Sequence, residues 1–183
     1  MQDPAVIDDN SIPPTRFAWS RWQQLAAAAG IGFLWLLAAG AVLLVAAKLD
    51  FPALGAESDP VEVLTAVVIF GLACLRAPVH AGALTLSVIP LAALALVGWG
   101  FSDAVGRVVG RVPAGGVTSR ALAGAAAAIP FAALCCATAL IFRFRGETTA
   151  VGVDAIGASI AGLVWGAIFG AVGGLISHAS LKT

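Results

Sequence analysis

Few side chains in this sequence are of the types that carry out chemistry. Its three cysteines, Cys74, Cys135 and Cys136, all fall inside apolar runs, and the two histidines, His80 and His178, are isolated. A metal site needs a cluster of Cys, His, Asp or Glu at ligand spacing. No such cluster, Ser-His-Asp set, phosphate-binding loop or dinucleotide-binding motif is visible. We therefore predict no catalytic residue, no metal, no cofactor and no enzymatic activity.

Four polar residues stand close to the ends of apolar runs: Glu62, Arg76, His80 and Asp154. An ionisable group deep in hydrocarbon is costly and usually serves ion or proton handling, but none lies in the middle of a run. Glu62 and Asp154 are near the starts of their runs, where a carboxylate reaches water or caps a helix. The four remain candidate polar functional residues, with structural roles favoured.

The composition indicates an integral membrane protein with most of its chain within the lipid bilayer. Of the 183 residues, 60% are hydrophobic and 11% are charged, and the mean hydropathy is +0.98. A soluble domain of this length needs a largely polar surface, which these residues cannot supply. The formal net charge of zero argues against nucleic acid as a partner, because such binding requires a basic face.

Five apolar runs, 25–47, 61–75, 81–101, 121–142 and 155–177, predict the helices. The first gives roughly 34 Å of helix, enough to cross a hydrocarbon core of about 30 Å. Run 61–75 gives only roughly 22 Å, so it is short or re-entrant. Pro90 should kink the third run, and Pro130 lies in the fourth. The predicted fold is an all-α polytopic transmembrane helix bundle with four full spans plus one short or re-entrant helix, or alternatively five spans.

The flanks of the runs indicate an orientation. Residues 1–24 are predicted to be a flexible polar tail that ends in membrane-interface anchors, and 178–183 a short C-terminal tail; the anchors are Arg16, Trp19, Arg21 and Trp22. Lys and Arg divide five against five if all runs cross, and six inside against four outside if run 61–75 returns. This bias favours four spans in a cytoplasmic membrane, with the N-terminus cytoplasmic.

The most regular pattern is a stripe of small residues in the last run, which we call the glycine stripe: Ala158, Gly162, Gly166, Gly170 and Gly174. Residues four apart share one face of a helix, so a second helix can approach closely along this stripe. It could form a seam with another copy or subunit, or line a pore. It could instead pack within the chain, with 121–128 as its partner, and we favour this second interpretation.

The stretch 78–91 resembles a recurrent element of the streptophobe-like group, polytopic membrane proteins of high-GC Gram-positive bacteria. In that group a short apolar run is followed by a small-residue outer loop, a proline-leucine pair in the next span and a basic inner loop, here 107–120. The resemblance covers about residues 25–145 and implies a bacterial membrane protein of this topology. The molecular function of the group is not established, so no functional residue is transferred.

Two functions fit these features. The first is a small non-catalytic membrane protein that acts through helix packing as a structural or accessory subunit, its partners being the bilayer and, through the glycine stripe, itself or other membrane subunits. The alternative is a transporter or channel component, with a path formed by the proline-containing spans, the short run and the stripe. Its weakness is that few polar side chains could line a path: Thr65, Thr85, Ser87, Thr138 and Ser159.

Overall fold

Helices make up most of the computed structural model, which describes residues 14–50, 59–77, 79–81, 84–86, 91–110, 116–142, 144–145 and 150–179. The helices are α1 (Pro14–Asp50), α2 (Pro60–Cys74), α3 (Leu91–Val109), α4 (Val117–Ala125), α5 (Ala128–Ile141) and α6 (Ala155–Ala179). Four short strands accompany them: β1 (Val79–Ala81), β2 (Leu84–Leu86), β3 (Phe144–Arg145) and β4 (Ala150–Val153).

Four helical segments are long and apolar enough to cross a membrane: Arg21–Ala46 in α1, α3, α4 with α5 as one interrupted span, and Ala155–Ser177 in α6. The shorter apolar helix is α2. A large apolar side chain is exposed near the middle of each long segment, namely Leu34, Trp99, Ile129 and Ile168. Such a surface is unfavourable in water and suited to lipid. The predicted helical membrane bundle, with four long helices and one short one, is confirmed.

The first helix begins earlier than predicted. Residues 14–24 belong to α1, so they are helical where a flexible tail was expected. Pro14 is compatible with this start, because the first turn of a helix does not use its backbone N–H groups in internal hydrogen bonds. The rest of the predicted tail, residues 1–13, lies outside the described residues.

The prediction of one kinked helix over 81–101 is wrong. The structure has strands at Val79–Ala81 and Leu84–Leu86, and α3 begins at Leu91, directly after Pro90. A proline disfavours the helical conformation in the residue before it, so a helix starts more readily after it than across it. Pro90 itself lies outside the described residues. At its other end α3 continues to Val109, supported by an ion pair of 2.8 Å between Arg107 and Asp103 one turn earlier.

The fourth run is interrupted as a proline requires. Pro130 has no N–H to donate to the carbonyl of Ala126, and the N–H of Ile129 bonds that oxygen instead at 3.3 Å. The N–H of Ala127 likewise bonds the carbonyl of Gly124, three residues earlier, at 3.1 Å. Because these tighter bonds replace the α-helical pattern, α4 ends at Ala125 and α5 starts at Ala128.

The strands form a small antiparallel sheet in the order β2-β1-β4-β3, which sequence analysis missed. In its centre β1 pairs with β4, with Val79 opposite Val153 and Ala81 opposite Val151. The sheet therefore joins the connection between α2 and α3 to the connection between α5 and α6. Since β4 leads into α6, the sheet lies at the N-terminal end of that helix.

Aromatic side chains and glycines fit together in the core where the helices cross. The rings of Phe101 in α3 and Phe131 in α5 are both buried, with their centroids 4.9 Å apart. Phe101 also fills the space that a side chain at Gly32 of α1 would need. Nearby, Trp35 of α1 covers Gly100 of α3. Large residues on one helix therefore pack against glycines on the next, which brings the helices close together.

Candidate functional site

The first half of the glycine stripe faces α5 in the same chain. A Cβ atom added to Gly162 would lie 3.1 Å from the Cα atom of Ala132, and one added to Gly166 would lie 3.0 Å from the Cα atom of Ala128. Both glycines are buried. At these distances an added Cβ atom would be closer than an ordinary van der Waals contact, so the facing helix would have to shift by a few tenths of an ångström.

The second half of the stripe faces α4 even more closely. A Cβ atom on Gly170 would collide with the backbone oxygen of Gly124, and one on Gly174 would collide with the backbone oxygen of Arg120. The contact is reciprocal, because a Cβ atom on Gly124 would collide with the oxygen of Gly170. Glycine on both sides makes this the point where the two helix backbones approach most closely within the stripe.

These contacts decide between the two interpretations of the stripe. All five of its residues, including Ala158, are buried within this chain, and the residues opposite the second half lie in or next to 121–128. A seam with another subunit through the stripe would first require α6 to separate from α4 and α5. In this structure the stripe is covered within the chain, and the expectation that partners bind through it stays a prediction.

A second face of α6 packs on α3. Ser102 donates a hydrogen bond of 2.8 Å from its Oγ atom to the carbonyl of Phe169, and its own carbonyl lies against Gly173. The ring of Phe169 fills the space beside Gly98. Helix α6 thus contacts α3 on one face and α4 and α5 on another.

The short helix α2 ends inside the bundle. Its last carbonyl, at the fully buried Leu75, accepts a hydrogen bond of 3.1 Å from the indole Nε1 of Trp165. Trp165 follows the first residue of α6 by ten positions, which corresponds to roughly 15 Å of helix. The described end of α2 therefore lies beside the middle of α6.

The turn after α2 satisfies the other backbone groups at this end. The N–H of Ala77 bonds the carbonyl of Leu72 at 3.3 Å, and the N–H of Arg76 bonds that of Ala73 at 2.9 Å. This is the Schellman pattern, which requires a left-handed residue, here Arg76 with φ of 64°. Irregular backbone at this depth is tolerated because it is hydrogen-bonded and enclosed by protein.

The candidate polar residues are placed on different elements. Asp154 caps α6, accepting a hydrogen bond of 2.7 Å from the N–H of Gly157. Glu62 is exposed in the first turn of α2, and Arg76 is exposed beyond its last. His80 lies in β1, opposite Thr85 and Gly152.

The predicted anchors all lie in α1. Arg21 and Trp22 are exposed there, while the side chains of Arg16 and Trp19 are outside the described part. Across the described residues, no group of three His, Cys, Asp or Glu is placed to hold a metal ion.

Sequence reasoning missed two residues whose importance depends on distant contacts. Trp165 lies off the glycine stripe, yet its indole caps α2. Arg120 was counted among the residues of a basic loop, yet it lies in α4 and is buried. Comparison with protein-family models, curated proteins and solved structures finds no match for this chain.

Substitution of Gly170 by alanine tests the stripe. The added Cβ atom would collide with the backbone of Gly124, so we expect Gly170→Ala to destabilise the protein by about 1–3 kcal/mol. Gly30→Ala is the matched control, because nothing lies within 4 Å of a Cβ atom at that helical glycine. The free energy of unfolding in detergent checks this, and equal losses in the two variants would contradict the assignment.

Replacement of Trp165 by phenylalanine tests the cap on α2. The buried carbonyl of Leu75 would lose its partner, so Trp165→Phe should cost about 1–3 kcal/mol of unfolding free energy. It should also speed hydrogen exchange at residues 73–77 more than elsewhere. Trp99→Phe, at an exposed tryptophan, should change neither quantity appreciably. If exchange at 73–77 were unchanged in Trp165→Phe, the indole would not be holding this end of the helix.

Proposed function

We propose that this chain is a small non-catalytic subunit of a membrane assembly, acting through helix packing and not through chemistry. The observation that supports this most is the way α6 is held, with glycine backbones against α4 and α5 and a serine hydrogen bond to α3. Several polar side chains of the described helices bond backbone carbonyls and not one another. Thr65 and Thr138 donate to carbonyls of their own helices at 2.7 Å.

A partner would meet the lipid-facing surface of the bundle. Large apolar side chains are exposed along α1 and α6, including Leu34, Val42, Ile160 and Val164. Between helices in lipid, association depends on close packing and not on hydrophobic burial. An assembly would therefore replace lipid contacts on these faces while leaving the glycine stripe closed.

We further propose a cytoplasmic membrane of a bacterium as the location, with the N-terminus in the cytoplasm. Two features support this orientation: the six-to-four bias of Lys and Arg when run 61–75 does not cross, and the end of α2 at mid-depth beside Trp165. In this arrangement the connection between α3 and α4, with Arg107 at its start, faces the cytoplasm.

Site-specific photocrosslinking in native membranes tests the accessory role. A benzophenone amino acid at Trp99, which is 65% exposed, should yield a discrete adduct with a second membrane polypeptide or a second copy. The same amino acid at Phe131, which is 1% exposed, should react only within the chain. Absence of any intermolecular adduct from Trp99, Leu34 and Ile160, together with a purely monomeric species in native mass spectrometry, would refute the proposal.

One observation favours transport as a second candidate. Transporters often contain helices that end within the membrane. Helix α2 ends beside the middle of α6, and the break between α4 and α5 interrupts a span. Against it, the carbonyl of Leu75 after α2 is already capped by Trp165, and Leu75 is fully buried. The test is solute flux in reconstituted vesicles. A flux that is altered in Trp165→Phe but not in Trp99→Phe would support transport. Absence of flux with every tested solute would refute it.

A further inference from the structure

Arg120 is a buried cation at one end of the bundle. It lies in α4 three residues after Val117, where the apolar span starts, which corresponds to roughly 4.5 Å of helix. Only 7% of its surface is exposed. Its backbone oxygen lies against Gly174 of α6, so a close contact between α4 and α6 sets the position of its backbone. Arg120 is therefore placed against α6, close to the level of the membrane surface.

The guanidinium has incomplete hydrogen bonding. Its Nη1 atom is 3.5 Å from the carbonyl oxygen of Ser177 in the last turn of α6, a long contact. Its Nε atom is buried and has no hydrogen-bond partner among the described residues. The hydroxyl of Ser177 is already committed, since it donates to the carbonyl of Gly174 at 2.7 Å. An arginine side chain carries five N–H donors in a planar fork, so several donors have no acceptor among the described groups.

The described carboxylates do not neutralise this charge. Asp103 is paired with Arg107 at 2.8 Å, and Asp154 caps the opposite end of α6, roughly 34 Å of helix from Ser177. Asp59 and Glu62 are exposed at the start of α2, and the side chain of Asp50, at the end of α1, is outside the described part. The carbonyl end of α6 supplies only about half an elementary charge of compensation. A buried cation without a full counter-charge is costly, so an anion at this place would be strongly favoured.

We propose that Arg120 binds a phosphate group, and that the phosphate is the headgroup of an anionic phospholipid lodged where α3, α4 and α6 end. The arginine fork matches phosphate oxygens in geometry and charge. Phospholipid phosphates lie just outside the hydrocarbon core, within reach of an arginine one turn inside it. Two neighbouring residues are small: Gly110 directly follows α3, and a Cβ atom added there would lie 3.6 Å from the Cβ atom of Ser177 in α6, so neither residue places a bulky side chain at this corner.

The test uses the purified full-length chain and does not depend on the accessory role proposed above. Native mass spectrometry and thermal unfolding are compared after adding phosphatidylglycerol, phosphatidylcholine or inorganic phosphate. We expect phosphatidylglycerol to bind at least about tenfold more tightly than phosphatidylcholine and to raise the unfolding temperature. If inorganic phosphate raised the unfolding temperature as much as phosphatidylglycerol does, the anion site would stand but its ligand would be a free anion and not a lipid. Equal binding of the two lipids, with no effect of phosphate, would overturn the proposal.

Variants separate Arg120 from general surface charge. Arg120→Gln should abolish the preference for phosphatidylglycerol, and Arg120→Lys, which keeps the charge but loses the fork, should weaken it several-fold. Arg107→Gln is the matched control, because Arg107 is exposed and already ion-paired, and it should keep the preference. Equal loss in the Arg107 and Arg120 variants would contradict a specific site. Should Arg120→Gln fail to fold, Arg120→Lys and the wild-type lipid comparison still decide the matter.

Discussion

The backbone must satisfy its own hydrogen bonds wherever this chain meets lipid, and the rest of the structure follows from that constraint. An unpaired N–H or C=O group in hydrocarbon is costly, so the apolar runs form helices. Where the helix pattern stops within the bundle, a substitute is present. The indole of Trp165 caps Leu75, a left-handed Arg76 closes the turn after α2, and Ile129 takes the carbonyl that Pro130 cannot bond.

Close helix packing is the second consequence, because apolar side chains gain no hydrophobic free energy when they exchange lipid contacts for contacts with one another. The helices pack most closely at glycines. The glycines of α6 lie against the backbones of α4 and α5, and large rings on α1 and α3 fill the spaces beside glycines of the other helix. The same contact that closes the glycine stripe also fixes Arg120. The candidate anion site therefore depends on helix packing, since the contact with Gly174 positions Arg120.

Local signals in the sequence were sufficient where an element depends on its own residues. Run 155–177 and run 61–75 match α6 and α2 closely, because uninterrupted apolar residues and a capping aspartate act locally. Prediction failed where the partner is distant along the chain. Val79 pairs with Val153, Leu75 bonds Trp165 and Arg120 lies beside Ser177. None of these contacts has a periodic signature, so strands of two to four residues were assigned to a helix or to loops.

The central claim is that the exposed apolar faces of the four long helical segments lie in the interior of a bilayer. Spin labels at Leu34, Trp99, Ile129 and Ile168, each exposed near the middle of its segment, test this most directly in reconstituted vesicles of a chain whose three cysteines are replaced by alanine. The account predicts frequent collisions with oxygen, which dissolves in lipid, and few with a water-soluble nickel chelate at all four positions. A label at any of them that collides more with the chelate than with oxygen would contradict it.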